Sequence, residues 1–237
     1  MAMKAGTDIN KVVKKTLREV HVWSKLRHNN VLPLLGITTV LNQSLPSIVT
    51  EWMSLGNAHD YVQDTTIDPR PLIVDIAHGL FYLHNHTLGP IIHGDLKGMN
   101  VLISEEGRAL LTDFGHSHLA NSSFSMTVDL PCGGSWNWLA PENVESDQYA
   151  ITLPGDVWAF GMTALELFSR KKPFHDARNV PGILLQILRG PPGRPNDECT
   201  CSRMTDAWWN LCKLCWERDP SLRLGISELM VIIKQLL

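Results

Sequence analysis

Two carboxylates, an amide and an ammonium, those of Asp95, Asp113, Asn100 and Lys97, fall on short polar connections within IIHGDLKGMNVLISEEGRALLTDFG. The apolar runs Ile91-Ile92, Val101-Leu102-Ile103 and Ala109-Leu110-Leu111 separate those connections and read as short strands. Between the last two runs, Glu105-Glu106-Gly107 is a polar turn that lets the chain double back as a hairpin. Such a hairpin lays the loop carrying Asp95 and Asn100 beside the loop carrying Asp113. The segment has no cysteine or second histidine with which to build a zinc site. Its donors are hard oxygens, which suit magnesium with phosphate. The chemistry implied is phosphoryl transfer.

Holding two such loops together requires a substantial core, and composition allows one. The chain has 237 residues, 44% of them hydrophobic and 19% charged, enough for one large domain or two closely packed lobes. A formal net charge of -3 gives no reason to expect nucleic acid or an anionic membrane as partner. Lys11, Lys14, Lys15 and Arg18 read as the solvated face of a helix. There is no secretory apolar core at the start and no apolar run of membrane-spanning length. The odd count of five cysteines suggests reduced thiols in a cytosolic or nuclear compartment, and we expect a cytoplasmic protein. The spacings Cys199-x-Cys201 and Cys212-x-x-Cys215 would allow zinc, but the first is too short and the second lies in an apolar helix. Packed or loop thiols are the preferred reading.

Hydrophobic spacing then gives the supporting elements. Ile9, Val12, Val13, Leu17 and Val20 recur at helical spacing behind a capping Asp8. Residues 32–41 and 47–50 read as strands. Residues 59–62 start a short helix, and 69–84 form a longer one whose apolar face is Leu72, Ile76, Leu80 and Leu83. His84 and His86 near its end read as solvated helix-terminal groups. Further helices are expected at 180–188, 208–217 and 226–237.

His93-Gly94-Asp95-Leu96-Lys97-Gly98-Met99-Asn100 resembles the protein-kinase catalytic loop H-R-D-L-x-x-x-N, and Asp113-Phe114-Gly115 resembles its D-F-G. Gly134 to Glu142, GSWNWLAPE, resembles the form G-T-x-x-W-M-A-P-E. Asp156-Val157-Trp158-Ala159-Phe160-Gly161 resembles the start of the central large-lobe helix. Trp23 to Val31 and Cys215 to Arg223 resemble stretches of tyrosine-kinase-like kinases. The resemblance runs from about Lys4 to the C-terminus. It implies an α+β, bilobal fold with a truncated small β lobe (1–50), a hinge (51–56) and a mainly helical large lobe (57–237).

The same resemblance implies a set of roles. Asp95 would orient the substrate hydroxyl and accept its proton, and Lys97 would neutralise charge on the transferred phosphoryl. Asp113 and Asn100 would each hold magnesium. Lys4, ending Met1-Ala2-Met3-Lys4, would hold the ATP phosphates and pair with Glu19. Thr50 would control access behind the adenine, with Glu51 and Met53 in the hinge. His93 is read as a core histidine, Phe114 as packing near Trp23, and Ser135 as a hydroxyl contacting Asp95. Glu142 with Arg223 would form a buried ion pair, and Asp156 would brace the catalytic loop. Lysine two places after the aspartate is the Ser/Thr-directed pattern. Two departures stand out. The family's Gly-rich loop belongs upstream of Lys4, where this sequence has only three residues, so the chain is read either as a fragment or shortened product or as lacking the first two strands of the small lobe. Gly94 replaces the family's arginine, so activity should not depend on phosphorylation of Ser122, Ser123, Ser125 or Thr127. Three functions stay open: an ATP- and magnesium-dependent Ser/Thr kinase acting on proteins, a catalytically impaired kinase-like binding protein, and a small-molecule phosphotransferase. Oligomeric state is not readable.

Overall fold

The computed structural model describes residues 9–39, 46–120, 135–146 and 149–236. A short small lobe is built from helix α1 (Ile9–Trp23) and the antiparallel pair β1 (Leu34–Thr39) and β2 (Pro46–Thr50). The last turn of α1 is anchored by Trp23, which is buried and donates its indole N–H to the Leu32 carbonyl at 2.6 Å. The expected strand from residue 32 starts later, at Leu34. Residues 30–32 have other partners in the hairpin that follows the Asp95 loop: the Leu32 amide donates to the Leu111 carbonyl, and the Leu111 amide to the Asn30 carbonyl.

That hairpin is β4 (Val101–Ile103) paired with β5 (Ala109–Leu111), in the register Val101↔Leu111, Leu102↔Leu110, Ile103↔Ala109. Its turn passes through Gly107 at φ +76°, a left-handed value that a glycine adopts without strain. A second small pair, β3 (Ile91–Ile92) with β6 (His118–Leu119), closes the other side of the two loops. All three apolar runs of the central segment therefore form strands where the polar connections between them allow.

The large lobe is helical. Helix α2 (Ala58–Tyr61) is capped by Asn57, whose side chain accepts from the Asp60 amide. Helix α3 (Pro69–His84) starts at Asp68, which accepts from the Arg70 amide, with proline at its first position. It packs against β5, and the fit is tight. A Cβ on Gly79 would lie 2.7 Å from the Asn30 carbonyl oxygen and 2.9 Å from Leu111 Cδ1. Gly79→Ala should therefore destabilise by about 1–3 kcal/mol although it favours the helix, measurable by denaturant titration.

After α4 (Glu142–Glu145), helix α5 (Leu153–Ser169) runs through the centre of the lobe, buried from Asp156 to Phe168. A helix apolar on all sides has no solvent face, so it must be surrounded. Thr152 caps its start, and Arg170 ends it in the left-handed region at φ 60°. It is followed by α6 (Val180–Arg189), α7 (Asp197–Thr200), α8 (Asp206–Cys215) and α9 (Ile226–Gln235); α3, α7 and α8 pack against α5, and α9 packs against α3 and α8. Cys212 and Cys215 sit in the seam between α8 and α5. Burial pushes the Cys212 thiol up to about 12 and the Cys215 thiol well above its ordinary value. Both are packed thiols, and Cys215 Sγ donates to the Leu211 carbonyl. Among the described residues no helix is long and apolar enough to cross a membrane.

Candidate active site

The loop between β3 and β4 carries Asp95, Lys97 and Asn100, and their side chains converge. Lys97 Nζ donates to Asp95 Oδ2 at 2.7 Å and to Ser135 Oγ at 2.7 Å. Asn100 Nδ2 donates to both the backbone oxygen and Oδ2 of Asp95, each at 2.8 Å. The Asn100 amide is thereby turned so that Oδ1 remains as an oxygen donor. Burial pushes the Asp95 carboxyl up, but the hydrogen bond and charge of Lys97 outweigh it and hold the group below its ordinary value. Asp95 therefore stays ionised at neutral pH.

Asp113 lies just beyond β5, on a left-handed backbone (φ 61°), with its side chain exposed and accepting weakly from the Gly115 amide at 3.4 Å. Its neighbours tie it to the Asp95 loop. The Thr112 amide donates to the Asn100 carbonyl at 3.0 Å, and the His93 imidazole contacts the Thr112 carbonyl at 3.1 Å. Phe114 is fully buried between Trp23 (ring centroids 5.2 Å) and His93 (5.4 Å). The hairpin thus sets both loops side by side, with His93 in the core. The Asn100 amide oxygen and the Asp113 carboxylate are hard oxygen donors of the kind that would suit magnesium beside phosphate.

Of the other expected site residues, Thr50 ends β2 opposite Leu34, Glu51 is exposed and Met53 packs partly against the core. The Gly56 carbonyl accepts from the Ile103 amide at 2.9 Å, which joins the 51–56 segment to β4. Glu19 is half-buried on α1. Lys4, Gly134 and the serines and threonine at 122–127 lie outside the described residues.

Two supports behave as expected. Asp156 receives the His93 amide at 2.7 Å and the Gly94 amide at 2.9 Å. Arg223 makes paired bonds of 3.0 Å to both oxygens of Glu142. One expectation fails: His84 is not a solvated helix end. It is buried, and its Nε2 lies 2.9 Å from Asp156 Oδ2, because a buried carboxylate needs a donor on each lone pair it can fill.

Three features were not legible beforehand. Gly94 sits at φ +79°, and a Cβ there would come within 2.8 Å of Ile151 Cγ2. The site of the absent arginine is thus a glycine position in its own right, and Gly94→Ala should cost about 1–3 kcal/mol, read as a lower melting temperature. His116 Nδ1 lies 3.9 Å from Asp95 Oδ2. Tyr149 is pushed up to about 12 by burial and by the charges of Asp95 and Asp156.

Comparison with known proteins agrees with this geometry. Residues 1–232 match the family model for the protein kinase domain. The chain is 32% identical over 97% of its length to a mitogen-activated protein kinase kinase kinase of Drosophila melanogaster, covering 19% of that protein. It is 28% identical to the serine/threonine-protein kinase STY17 of Arabidopsis thaliana, over 95% of the chain and 38% of the relative. To the probable serine/threonine-protein kinase roco6 of Dictyostelium discoideum it is 29% identical, over 98% of the chain and 11% of the relative. The chain therefore spans well under half the length of these curated relatives. With the family model matching nearly end to end and the loops arranged as described, this chain belongs to the protein kinase domain family.

Proposed function

We propose that the chain transfers the γ-phosphate of ATP to Ser/Thr hydroxyls of protein substrates, with magnesium. The observation that carries this reading is the shared ammonium of Lys97, held between Asp95 and Ser135 at 2.7 Å from each. Asp95, kept ionised, would accept a hydrogen bond from the acceptor hydroxyl and take its proton as the new bond to phosphorus forms. Its depressed basicity favours orienting the hydroxyl over early proton removal. Lys97 is placed to offset charge on the phosphoryl in transit. Asp113 and Asn100 would hold magnesium, which neutralises phosphate charge when bound. Lys4, paired with Glu19, would hold the ATP phosphates. Residues 51–56 would serve as hinge between 1–50 and 57–237, with Thr50, Glu51 and Met53 about the adenine. The odd count of five cysteines supports a reducing, cytoplasmic setting.

Phosphoamino-acid analysis of a generic protein mixture after incubation with Mg-ATP tests the substrate class. Phosphoserine and phosphothreonine are expected. Nucleotide binding without turnover would instead support the impaired, kinase-like binding protein. Label appearing only on small hydroxylated molecules would support the third alternative.

A further inference from the structure

Helix α5 carries two buried carboxylates, Asp156 and Glu166, exposed by 2% and 0%. Each meets a histidine from a different helix: His84 of α3 at 2.9 Å from Asp156, and His59 of α2 at 2.8 Å from Glu166. Each also takes a backbone amide of the Asp95 loop, on opposite sides of Asp95. Asp156 takes His93 and Gly94; Glu166 Oε2 takes Gly98 at 2.9 Å. The indole N–H of Trp138, just before Ala140-Pro141-Glu142, donates to the same Glu166 oxygen at 3.0 Å. Lys97, which lies between the two anchored stretches, is extended (φ -164°, ψ 162°).

We propose that Glu166 is a positioning residue that fixes the far end of the catalytic loop, and that His59 is the cation that keeps it in place. This rests on the phosphotransfer reading above for its kinetic part only. Gly98 is fitted to the role: a Cβ there would lie 2.9 Å from Glu166 Oε1. A fully buried carboxylate is tolerated only when paired and hydrogen-bonded. Three donors from three segments do so here, and His59 is the one that also brings charge. The groups facing His59 are Glu166 from α5, Asp60 on its own helix and Lys172 beyond α5. The hydrogen bond to Glu166 raises the imidazole pKa, burial opposes this, the charges of Glu166 and Asp60 add to it, and Lys172 subtracts. The raised value fixes the sign: the charged pair is complete at low pH and is lost as pH rises through the folded-state pKa of His59.

The test compares the parent chain with Glu166→Gln and His59→Gln. In Glu166→Gln, amide hydrogen exchange at Gly98 should accelerate more than at core amides, and kcat should fall by about 10²-fold with KM for ATP little changed. The parent should lose kcat on the alkaline side of the His59 titration, and His59→Gln should lack that limb. By NMR, the His59 pKa should drop in Glu166→Gln. Unchanged Gly98 exchange in Glu166→Gln would overturn the proposal, as would acceleration no greater than at core amides. Should Glu166→Gln not fold, a His59→Gln chain with parental Gly98 exchange at every pH overturns it. Should the parent transfer no phosphate, the exchange and titration arms still decide.

Discussion

Asp95→Asn is expected to slow γ-phosphate transfer by about 10²–10⁴-fold, the usual worth of a positioned general base. Asparagine keeps the shape and an oxygen for the Asn100 amide, which now contacts Asp95 Oδ2 at 2.8 Å. It removes the anion that Lys97 neutralises and the group proposed to receive the hydroxyl proton. Lys97 keeps Ser135 Oγ as partner, so the loop should hold its place. Both side chains of the Asp95–Lys97 pair retain some solvent contact, 10% and 14%, so the fold should lose far less than the reaction does. Turnover at saturating ATP, measured beside the melting temperature, separates the two effects.

The second large effect concerns stability. Glu142→Ala should destabilise the domain by about 3–5 kcal/mol, the cost of stranding one partner of a buried ion pair. The Arg223 guanidinium is fully buried while Glu142 is 22% exposed, so the uncompensated charge would have no route to water. Arg223 would keep the Pro154 and Glu217 carbonyls and its place 5.3 Å over the Trp158 ring. Those contacts set the lower end of the range. For a domain of this size each kcal/mol moves the melting temperature by about 2–4 °C, so a drop of roughly 6–20 °C is expected. Replacing both Glu142 and Arg223 with apolar residues should recover part of the loss, as measured by the double-mutant cycle.

Much of the site was legible because its chemistry is local. Asp95, Lys97 and Asn100 sit on one loop, and the turn at Glu105-Glu106-Gly107 dictates that Asp113 returns beside them. The strands 91–92, 101–103 and 109–111 formed where short apolar runs and turn residues place them. What escaped was long-range. Nothing in the local pattern at His84 tells that its ring will face a carboxylate 72 residues later. Glu166 did leave a trace, a single carboxylate within the otherwise apolar run from Val157 to Phe168. A charge in such a run must be paired, but its partners at His59, Gly98 and Trp138 are set by tertiary packing. Gly94 likewise reads as a missing arginine; its positive φ and the methyl of Ile151 at its shoulder emerge only in three dimensions.

If Asp95 and Asp113 serve one magnesium-dependent phosphotransfer site, the rate of γ-phosphate transfer to protein must respond to both residues and to the metal, measured with and without magnesium in the parent, Asp95→Asn and Asp113→Ala. Transfer should require magnesium in the parent and fall by about 10²-fold or more in each variant. Equal rates in all three chains would refute the claim.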